Sequence, residues 1–182
     1  MRHPIHTRRL TLEPLRIAHA KPLFAELRRE VIYRYIDERP PRSLNALMAR
    51  YRVLGRGRSP RNRAERWLNW AIRLREDRRY VGYVQATVLP KGDAYVGYVI
   101  APRWWGRGLG REAVAAMLSR LAARGVRRFI ATVEADNARS VALLERLRFE
   151  DAPGRRPGER TLVLSVAGAA GDNRGKARSG GS

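Results

Sequence analysis

Residues 97–113 have the sequence GYVIAPRWWGRGLGREA, in which an apolar run leads through a glycine-rich turn into a helical pattern. The run at 97–100 ends a segment rich in β-branched and aromatic residues, which is typical of a strand. Beyond the turn, apolar residues recur at helical spacing along 112–124, and Gly125 is suited to end that helix. The stretch therefore predicts a strand, a tight turn and a helix in succession.

Three closely spaced glycines, Gly106, Gly108 and Gly110, dominate the turn. Because they lack a Cβ, their backbone amides can approach an anion closely. The helix that follows adds unpaired amides and the positive end of its dipole. Positive charge around the turn comes from Arg103, Arg107 and Arg111. The pattern predicts a cradle for a diphosphate, and a plain surface loop is the alternative that the glycines alone leave open.

Two common phosphate-binding motifs do not fit this turn. A nucleotide-binding P-loop needs Gly-Lys-Ser/Thr, whereas Gly110 is followed by Arg111 and Glu112. A dinucleotide-binding fingerprint needs two residues between its second and third glycines, but only Leu109 separates Gly108 from Gly110. The sequence therefore disfavours both nucleotide hydrolysis and dinucleotide-dependent redox chemistry.

Hydrophobic patterns along the rest of the chain predict alternating strands and helices. Strand patterns occupy 7–15, 80–89, 94–100, 129–134 and 161–166. Helical patterns occupy 18–35, 44–54, 112–124 and 137–147. Turn residues at 90–93 join two of the strands into an antiparallel hairpin. This order predicts an α+β domain in which a mixed sheet is flanked by helices, in three α/β/α layers.

Residues 64–75 fit either a third helix or the approach to a strand. Trp67, Trp70 and Leu74 recur at helical spacing, which favours the buried face of a helix. A basic loop at 55–63, rich in glycine and other turn residues, precedes this segment.

Composition indicates one globular domain. The chain has 182 residues, of which 44% are hydrophobic, enough for a packed core. We expect this domain to span 1–166 and the Gly-rich basic stretch 167–182 to form a disordered tail. The absence of cysteine excludes disulfides and cysteine nucleophiles, and three histidines near the N-terminus do not predict a metal site. No apolar run is long enough to cross a bilayer and no secretory signal is evident, so we expect a cytoplasmic protein without a membrane contact.

The charge is strongly positive and is carried almost entirely by arginine. Lys and Arg together number 38 against 17 Asp and Glu, which gives a net charge of +21. The densest region, 42–79, holds twelve arginines. Such a surface attracts polyanions, including RNA, but an arginine-rich composition on a solvated surface is the alternative reading.

Two blocks of the chain resemble the GCN5-related N-acetyltransferases, the GNAT superfamily. Residues 97–113 are similar to that family's motif A, with Trp105 where Gln or Arg is usual. Residues 137–149, beginning Asn137-Ala-Arg-Ser140 and ending at Phe149, are similar to motif B. The N-terminal stretch 7–15, together with Trp105, resembles the branch that acetylates the N-termini of ribosomal proteins. The resemblance implies the family's mostly antiparallel central sheet.

The resemblance further implies that acetyl-CoA is the cosubstrate. Its diphosphate is expected on the backbone of Trp105, Gly106, Arg107, Gly108, Leu109, Gly110 and Arg111. Its pantetheine arm is expected along the backbone of Tyr98, Val99 and Ile100, with a further contact from Asn137. For Asn137 the structural alternative is a helix cap.

Direct attack of a neutral amine on the thioester is the implied reaction, and an amide near Val99 or Ile100 would polarise its carbonyl. Ser140 is the candidate proton donor to the leaving sulfur, and Glu134, then Tyr98, are the candidate bases. For Glu134 the alternative is an ion pair with a nearby arginine. Many relatives carry a Glu where Tyr95 stands here, so a base on that strand is in doubt.

The acceptor is expected to be a primary amine, either a protein N-terminus or a small molecule. An acidic acceptor, or a terminus presented on RNA, suits the arginine content better than a cationic aminoglycoside, because like charges repel. Two rival functions stay open: a basic nucleic-acid-binding module and a catalytically silent acetyl-CoA sensor. Such enzymes occur as monomers and homodimers, and the sequence does not choose between them.

Overall fold

A computed structural model describes residues 3–154 and 156–166, which build one eight-stranded sheet around which the helices pack. The strands are β1 (Ile5–His6), β2 (Leu10–Pro14), β3 (Arg66–Leu74), β4 (Tyr80–Val88), β5 (Asp93–Ile100), β6 (Arg128–Glu134), β7 (Glu150–Ala152) and β8 (Glu159–Ser165). The helices are α1 (Ala20–Leu27), α2 (Leu44–Leu54), α3 (Leu109–Ala122) and α4 (Ala138–Arg146). Short 3-10 turns cover Ile17–His19, Glu30–Tyr35 and Pro102–Trp104.

The sheet is mixed but mostly antiparallel. Its strand order is β1-β2-β3-β4-β5-β6-β8-β7, and only β5 and β6 run parallel. The predicted hairpin is confirmed as β4 and β5, with Val84 opposite Tyr98 and Gly92 turning the chain at a φ of 89°. A parallel pair needs a long crossover, and here α3 provides it.

Two apolar clusters cover the two faces of the sheet and make the predicted three layers. On one face, Val114, Met117 and Leu121 of α3 pack on the sheet together with Leu144 of α4. The cluster on the other face includes residues of α1, α2 and the sheet: Leu23, Leu27, Leu47, Tyr51 and Ala71. Burial of these side chains removes apolar surface from water and fixes the helices around the sheet.

Of the two readings of 64–75, the helix is wrong and extended structure is what forms, because Arg66–Leu74 is the strand β3. Trp70 is buried on the α3 face, whereas Trp67, three residues earlier, is only partly buried and points to the opposite face of the sheet. The spacing of these two residues matches a helical period only by coincidence, because they lie in a nine-residue strand. Antiparallel pairing with both β2 and β4 decides the conformation here.

Other predicted boundaries also shift. The helix predicted at 18–35 ends at Leu27, and an extended residue, Arg29, separates it from a 3-10 turn. The strands β1 and β7 were not predicted, because two and three residues are too few to carry a hydrophobic period. The helix Leu44–Leu54 is confirmed and begins at a Ser43 cap whose hydroxyl accepts the Ala46 amide. The tail predicted at 167–182 lies outside the described residues.

A compact polar joint ties the N-terminus of the chain to the first turn of α3. Glu112 Oε1 accepts hydrogen bonds from the Thr7 hydroxyl at 2.6 Å and from the Arg9 amide at 2.9 Å. Its Oε2 accepts from Arg9 Nε at 2.7 Å. The same guanidinium donates through Nη1 to the Arg107 carbonyl at 2.9 Å. Arg9 therefore connects the acid of α3 to the backbone of the glycine-rich turn.

The joint holds Glu112 in its ionised form. Burial raises the pKa of Glu112, but the hydrogen bonds from Thr7 and Arg9 and the Arg9 charge outweigh it, so the pKa lies below its ordinary value. Only 18% of the Glu112 side chain is exposed, so solvent screens this interaction weakly.

We predict that Gly82→Ala strongly destabilises the fold. A Cβ at this position would lie 1.9 Å from the Val99 carbonyl oxygen and 2.9 Å from its carbon, so the hairpin would have to open. We expect a loss of about 3 kcal/mol or more in the free energy of unfolding, measured in urea by tryptophan fluorescence. Gly97→Ala is the matched control, because its Cβ meets only the flexible Gln85 side chain at 3.0 Å. Equal losses in both variants would contradict this assignment.

We predict that Glu112→Gln lowers stability by about 1–3 kcal/mol at neutral pH, because charge-assisted hydrogen bonds are lost. The lowered pKa of Glu112 means that its contribution is complete above the ordinary value of 4.5 and disappears as the pH falls through the folded-state pKa. The free energies of unfolding of the variant and the parent should therefore converge as the pH falls through the acidic range. If the difference between these two free energies stayed constant down to pH 3, the electrostatic origin would be ruled out.

Candidate active site

The central strands separate at one end of the sheet and open a cleft. Pairing between β5 and β6 covers only Asp93, Ala94 and Tyr95 with their three partners. Beyond that point, 96–100 of β5 and 131–134 of β6 line opposite walls of a cleft of about 890 Å³. One backbone edge of β5 is thus left for a ligand to pair with.

Strand alternation decides which backbone groups face this cleft. The Ala101 amide donates to Val81 of β4 at 2.8 Å, so the amide of Val99 also faces β4. The amides of Tyr98 and Ile100 consequently face the cleft. The predicted pairing edge therefore consists of Tyr98 and Ile100, while Val99 contributes its side chain to the cluster on the α1 and α2 side.

The glycine-rich turn opens into the same cleft. Gly106 and Gly108 have φ values of 75° and 71°, and a Cβ on Gly106 would meet nothing within 4 Å. Gly108 caps α3 without any side-chain hydrogen bond, and helical bonding begins with the Glu112 amide. The amides in the first turn of α3 therefore lack intrahelical partners: Leu109, Gly110 and Arg111. A 14-residue helix directs its positive dipole end at this point, which makes the turn an anion site.

The third glycine serves packing, not backbone freedom. Gly110 is buried in α3 with an ordinary helical conformation, and a Cβ there would lie 3.0 Å from Leu143 Cδ1 and 3.3 Å from Ile100 Cγ1. Gly110 thus lets α3 approach α4 and β5 closely. Of the three glycines in the predicted cradle, two shape the turn and one sets the distance between its supporting elements.

The arginines around the turn do not all face the cleft. Arg111 lines the cleft, whereas Arg107 does not, and its guanidinium lies 4.9 Å from the Trp104 ring centroid. Arg103 forms an ion pair with Glu26 at 3.0 Å. Any contribution of Arg107 to an anion in the cleft would therefore come from its backbone. The positive character of the turn rests mainly on amides.

Motif B supplies the opposite wall. Asn137 caps α4, because its Oδ1 accepts the Ser140 amide at 3.2 Å, and it also lines the cleft. Capping uses the amide oxygen and leaves the Nδ2 donors available. Ser140 lines the cleft too, and its carbonyl accepts a hydrogen bond from the Tyr98 hydroxyl at 3.4 Å.

Tyr98 is suited to donate a proton. Burial raises the pKa of Tyr98, and the contact with Ser140 offsets this only in part. The phenol therefore keeps its proton at neutral pH, which favours an acid over the base predicted as an alternative. Tyr98 and Ser140 meet where β5 and α4 converge, so both predicted groups lie on one side of the cleft.

The predicted base Glu134 lies at the rim. It ends β6, is exposed, and stands directly opposite Glu159 of β8, which also lines the cleft. Within residues 3–154 and 156–166, no arginine approaches Glu134 within ion-pair distance, so the ion-pair alternative is not found there. Tyr95 lies in the paired part of β5 and does not line the cleft.

Several cleft residues escaped prediction. Arg139 of α4 lies with its guanidinium carbon 3.8 Å from the Trp105 ring centroid. Tyr83 and Gln85 of β4 also line the cleft, and the hairpin register opposite Val99 and Gly97 was the signal that could have located them. The segment 31–38 closes the other side, but no motif marks it.

The described part of the chain contains no group of three or more His, Cys, Asp or Glu side chains arranged to hold a metal ion. Among the described helices, none is both long and apolar enough to cross a membrane.

Solved structures with the same fold span almost the whole chain. RimL, described as a ribosomal L7/L12 alpha-N-protein acetyltransferase in complex with coenzyme A, has a TM-score of 0.76 at 18% identity, covering 90% of this chain and 98% of that one. A GNAT-family acetyltransferase from Bacillus anthracis has a TM-score of 0.74 at 16% identity, with coverages of 90% and 98%. A GCN5-related N-acetyltransferase from Brucella melitensis has a TM-score of 0.75 at 18% identity, with coverages of 91% and 79%.

Sequence comparison provides the family. No curated protein sequence gives a significant match. The model of the acetyltransferase (GNAT) domain family matches residues 9–150, which include β2 through α4 and both motifs that line the cleft. The chain therefore belongs to the GNAT family and is an N-acetyltransferase that uses acetyl-CoA.

Proposed function

We propose that this enzyme acetylates the α-amine of a protein N-terminus by direct attack on acetyl-CoA bound in the cleft. The observation that carries the proposal is the opening of two features into one space: the unpaired edge of β5 and the amide-rich turn before α3. A diphosphate and an extended amide-bearing chain need those two features side by side. No acyl-enzyme is required, and the chain has no cysteine to form one.

The residues fit acetyl-CoA group by group. The open turn at Gly106 and Gly108 and the free amides of the first turn of α3 suit its diphosphate. The cleft-facing amides of Tyr98 and Ile100 suit the pantetheine arm as an added strand, with Asn137 Nδ2 on the opposite wall. When bound, acetyl-CoA supplies the activated acetyl thioester.

Protons move through three side chains in this proposal. Glu134 accepts a proton from the incoming ammonium, directly or through water, so that a neutral amine can attack. The Ile100 amide polarises the thioester carbonyl at the end of β5. As the nitrogen–carbon bond forms and the carbon–sulfur bond breaks, Ser140 or Tyr98 donates a proton to the departing sulfur. The attacking nitrogen keeps one hydrogen in the new amide and loses the other to solvent, and the donor regains a proton from solvent. The high pKa of Tyr98 keeps that proton available at neutral pH.

The acceptor enters from the side of the cleft formed by 31–38. Val31 is 50% exposed there, and it is the one large hydrophobic residue so exposed within the described residues. Arg34, Arg146 and Arg156 are among five arginines that line the same cleft against four carboxylates, one of which, Glu38, is paired with Arg50. An acidic N-terminal segment with an apolar residue near its amine suits this lining. The fold shared with RimL, described as an α-N-protein acetyltransferase, supports a protein terminus as the acceptor.

The geometry of the cleft does not bear on three other expectations from the sequence. Contact with RNA through the arginines of 42–79 stays a prediction. The cytoplasmic location and the choice between monomer and homodimer also stay predictions.

We predict that acidic N-terminal peptides are acetylated faster than basic peptides of equal length at low salt. Opposite charge raises the local concentration of an acidic acceptor, and salt should reduce its advantage. Thiol release and a mass increase of one acetyl group on the N-terminus are the measurements. Peptides with a blocked N-terminus and a free lysine serve as the control. Equal turnover of acidic and basic peptides would remove the acidic preference, and transfer only to lysine would remove the α-amine assignment.

We predict that Glu134→Gln lowers kcat about 100-fold at neutral pH while the affinity for CoA is unchanged. The deficit should shrink as the pH rises, because the acceptor then loses its proton to solvent. Glu159→Gln is the matched control, since Glu159 stands opposite Glu134 on the neighbouring strand. A pH profile parallel to that of the parent would exclude Glu134 as the base.

A further inference from the structure

A cation and an aromatic ring meet between the two walls of the cleft. Trp105 lies in the turn that follows β5, and Arg139 lies in the first turn of α4. The guanidinium carbon of Arg139 is 3.8 Å from the centroid of the Trp105 ring, a stacking distance. Both residues line the cleft, so this contact joins the motif A wall to the motif B wall.

The Trp105 ring is held in place by the backbone of β5. Trp105 Nε1 donates to the Ile100 carbonyl at 2.6 Å, so the indole is anchored to the last residue of β5. A guanidinium stacked on such a ring keeps its N–H donors at its edges, where they can reach an oxyanion. Trp105 therefore acts as a rigid platform that orients Arg139.

The charge on Arg139 is not neutralised by the protein. Within the described residues, no carboxylate lies within ion-pair distance of Arg139. The acid closest in sequence to the turn, Glu112, is already engaged by Thr7 and Arg9. A cation with no acidic partner among the described residues thus lines the same cleft as the glycine-rich turn, whose free amides form an anion site.

We infer that Arg139, oriented by Trp105, binds the diphosphate of CoA and closes the cleft over it. Amides of the turn contact the diphosphate from the α3 side, and the guanidinium contacts it from the α4 side. A planar fork with several donors matches phosphate oxygens better than an ammonium group. The inference rests on acetyl-CoA binding in this cleft, but not on the identity of the acceptor.

Titration calorimetry of CoA and of 3′-dephospho-CoA tests the inference without turnover. We expect Arg139→Ala to raise the Kd of both ligands about tenfold or more, as loss of a charge-assisted hydrogen bond does. Arg139→Lys should recover only part of this affinity. Arg124→Ala is the control for charge, because it removes an arginine about 20 Å away at the other end of α3.

Variants of Trp105 test the platform. Trp105→Leu should lower the affinity for both ligands. Trp105→Phe, which keeps a ring, should bind both ligands more tightly than Trp105→Leu does. Thermal unfolding of the ligand-free variants separates a lost contact from a damaged fold. If the two Trp105 variants lost the same affinity for both ligands while their stability was unchanged, the platform role would be overturned.

The outcomes separate this inference from the proposed function. Unchanged Kd values in Arg139→Ala would overturn the inference, as would a loss confined to CoA, which would assign Arg139 to the 3′-phosphate. A tenfold loss for both ligands supports it even if no peptide is acetylated, and that second failure would count against the proposed function alone.

Discussion

The cleft of this protein depends on the early end of pairing between its two parallel strands. After three residue pairs, β5 and β6 part, and the backbone of Tyr98 and Ile100 loses its neighbour. An unpaired strand edge is costly if left dry, and it is a ready template for another extended chain. In the function proposed above, the pantetheine arm of acetyl-CoA pairs with this edge and extends the sheet that the protein leaves open.

Elements on both sides of the opening hold it rigid. On the α3 side, Arg9 and Glu112 fix the turn to the N-terminal strands, and Gly110 lets α3 settle against β5. On the α4 side, the Asn137 cap fixes the start of the helix that carries Ser140. An anion site made of backbone amides needs such support, because its geometry cannot adjust as a flexible side chain can.

Electrostatics inside the cleft differ from those of the chain as a whole. The net charge of +21 describes a general attraction for anions, whereas the cleft uses particular groups. Glu112 is kept charged but turned away into its joint, so it does not repel a phosphate at the turn. Among the described residues no acid pairs with Arg139, and its guanidinium stacks on the Trp105 ring. The position of each charge matters more here than the total.

The sequence alone determined the glycine-rich turn, the β4–β5 hairpin, and the helices at 44–54 and after Gly108. It could do so because glycine spacing, turn residues and hydrophobic periods act between residues that are close together in the chain. The resemblance of 97–113 and 137–149 to the GNAT motifs, and not these local signals, suggested Tyr98 and Ser140 as candidate site residues. Only the tertiary structure decided that 66–74 is a strand, because one of its two pairing partners, β2, lies far away in the chain. Tertiary packing likewise brought Arg139 onto Trp105, 34 residues earlier, and turned Arg107 away, since nothing in the neighbouring sequence fixes which side chains meet across a cleft.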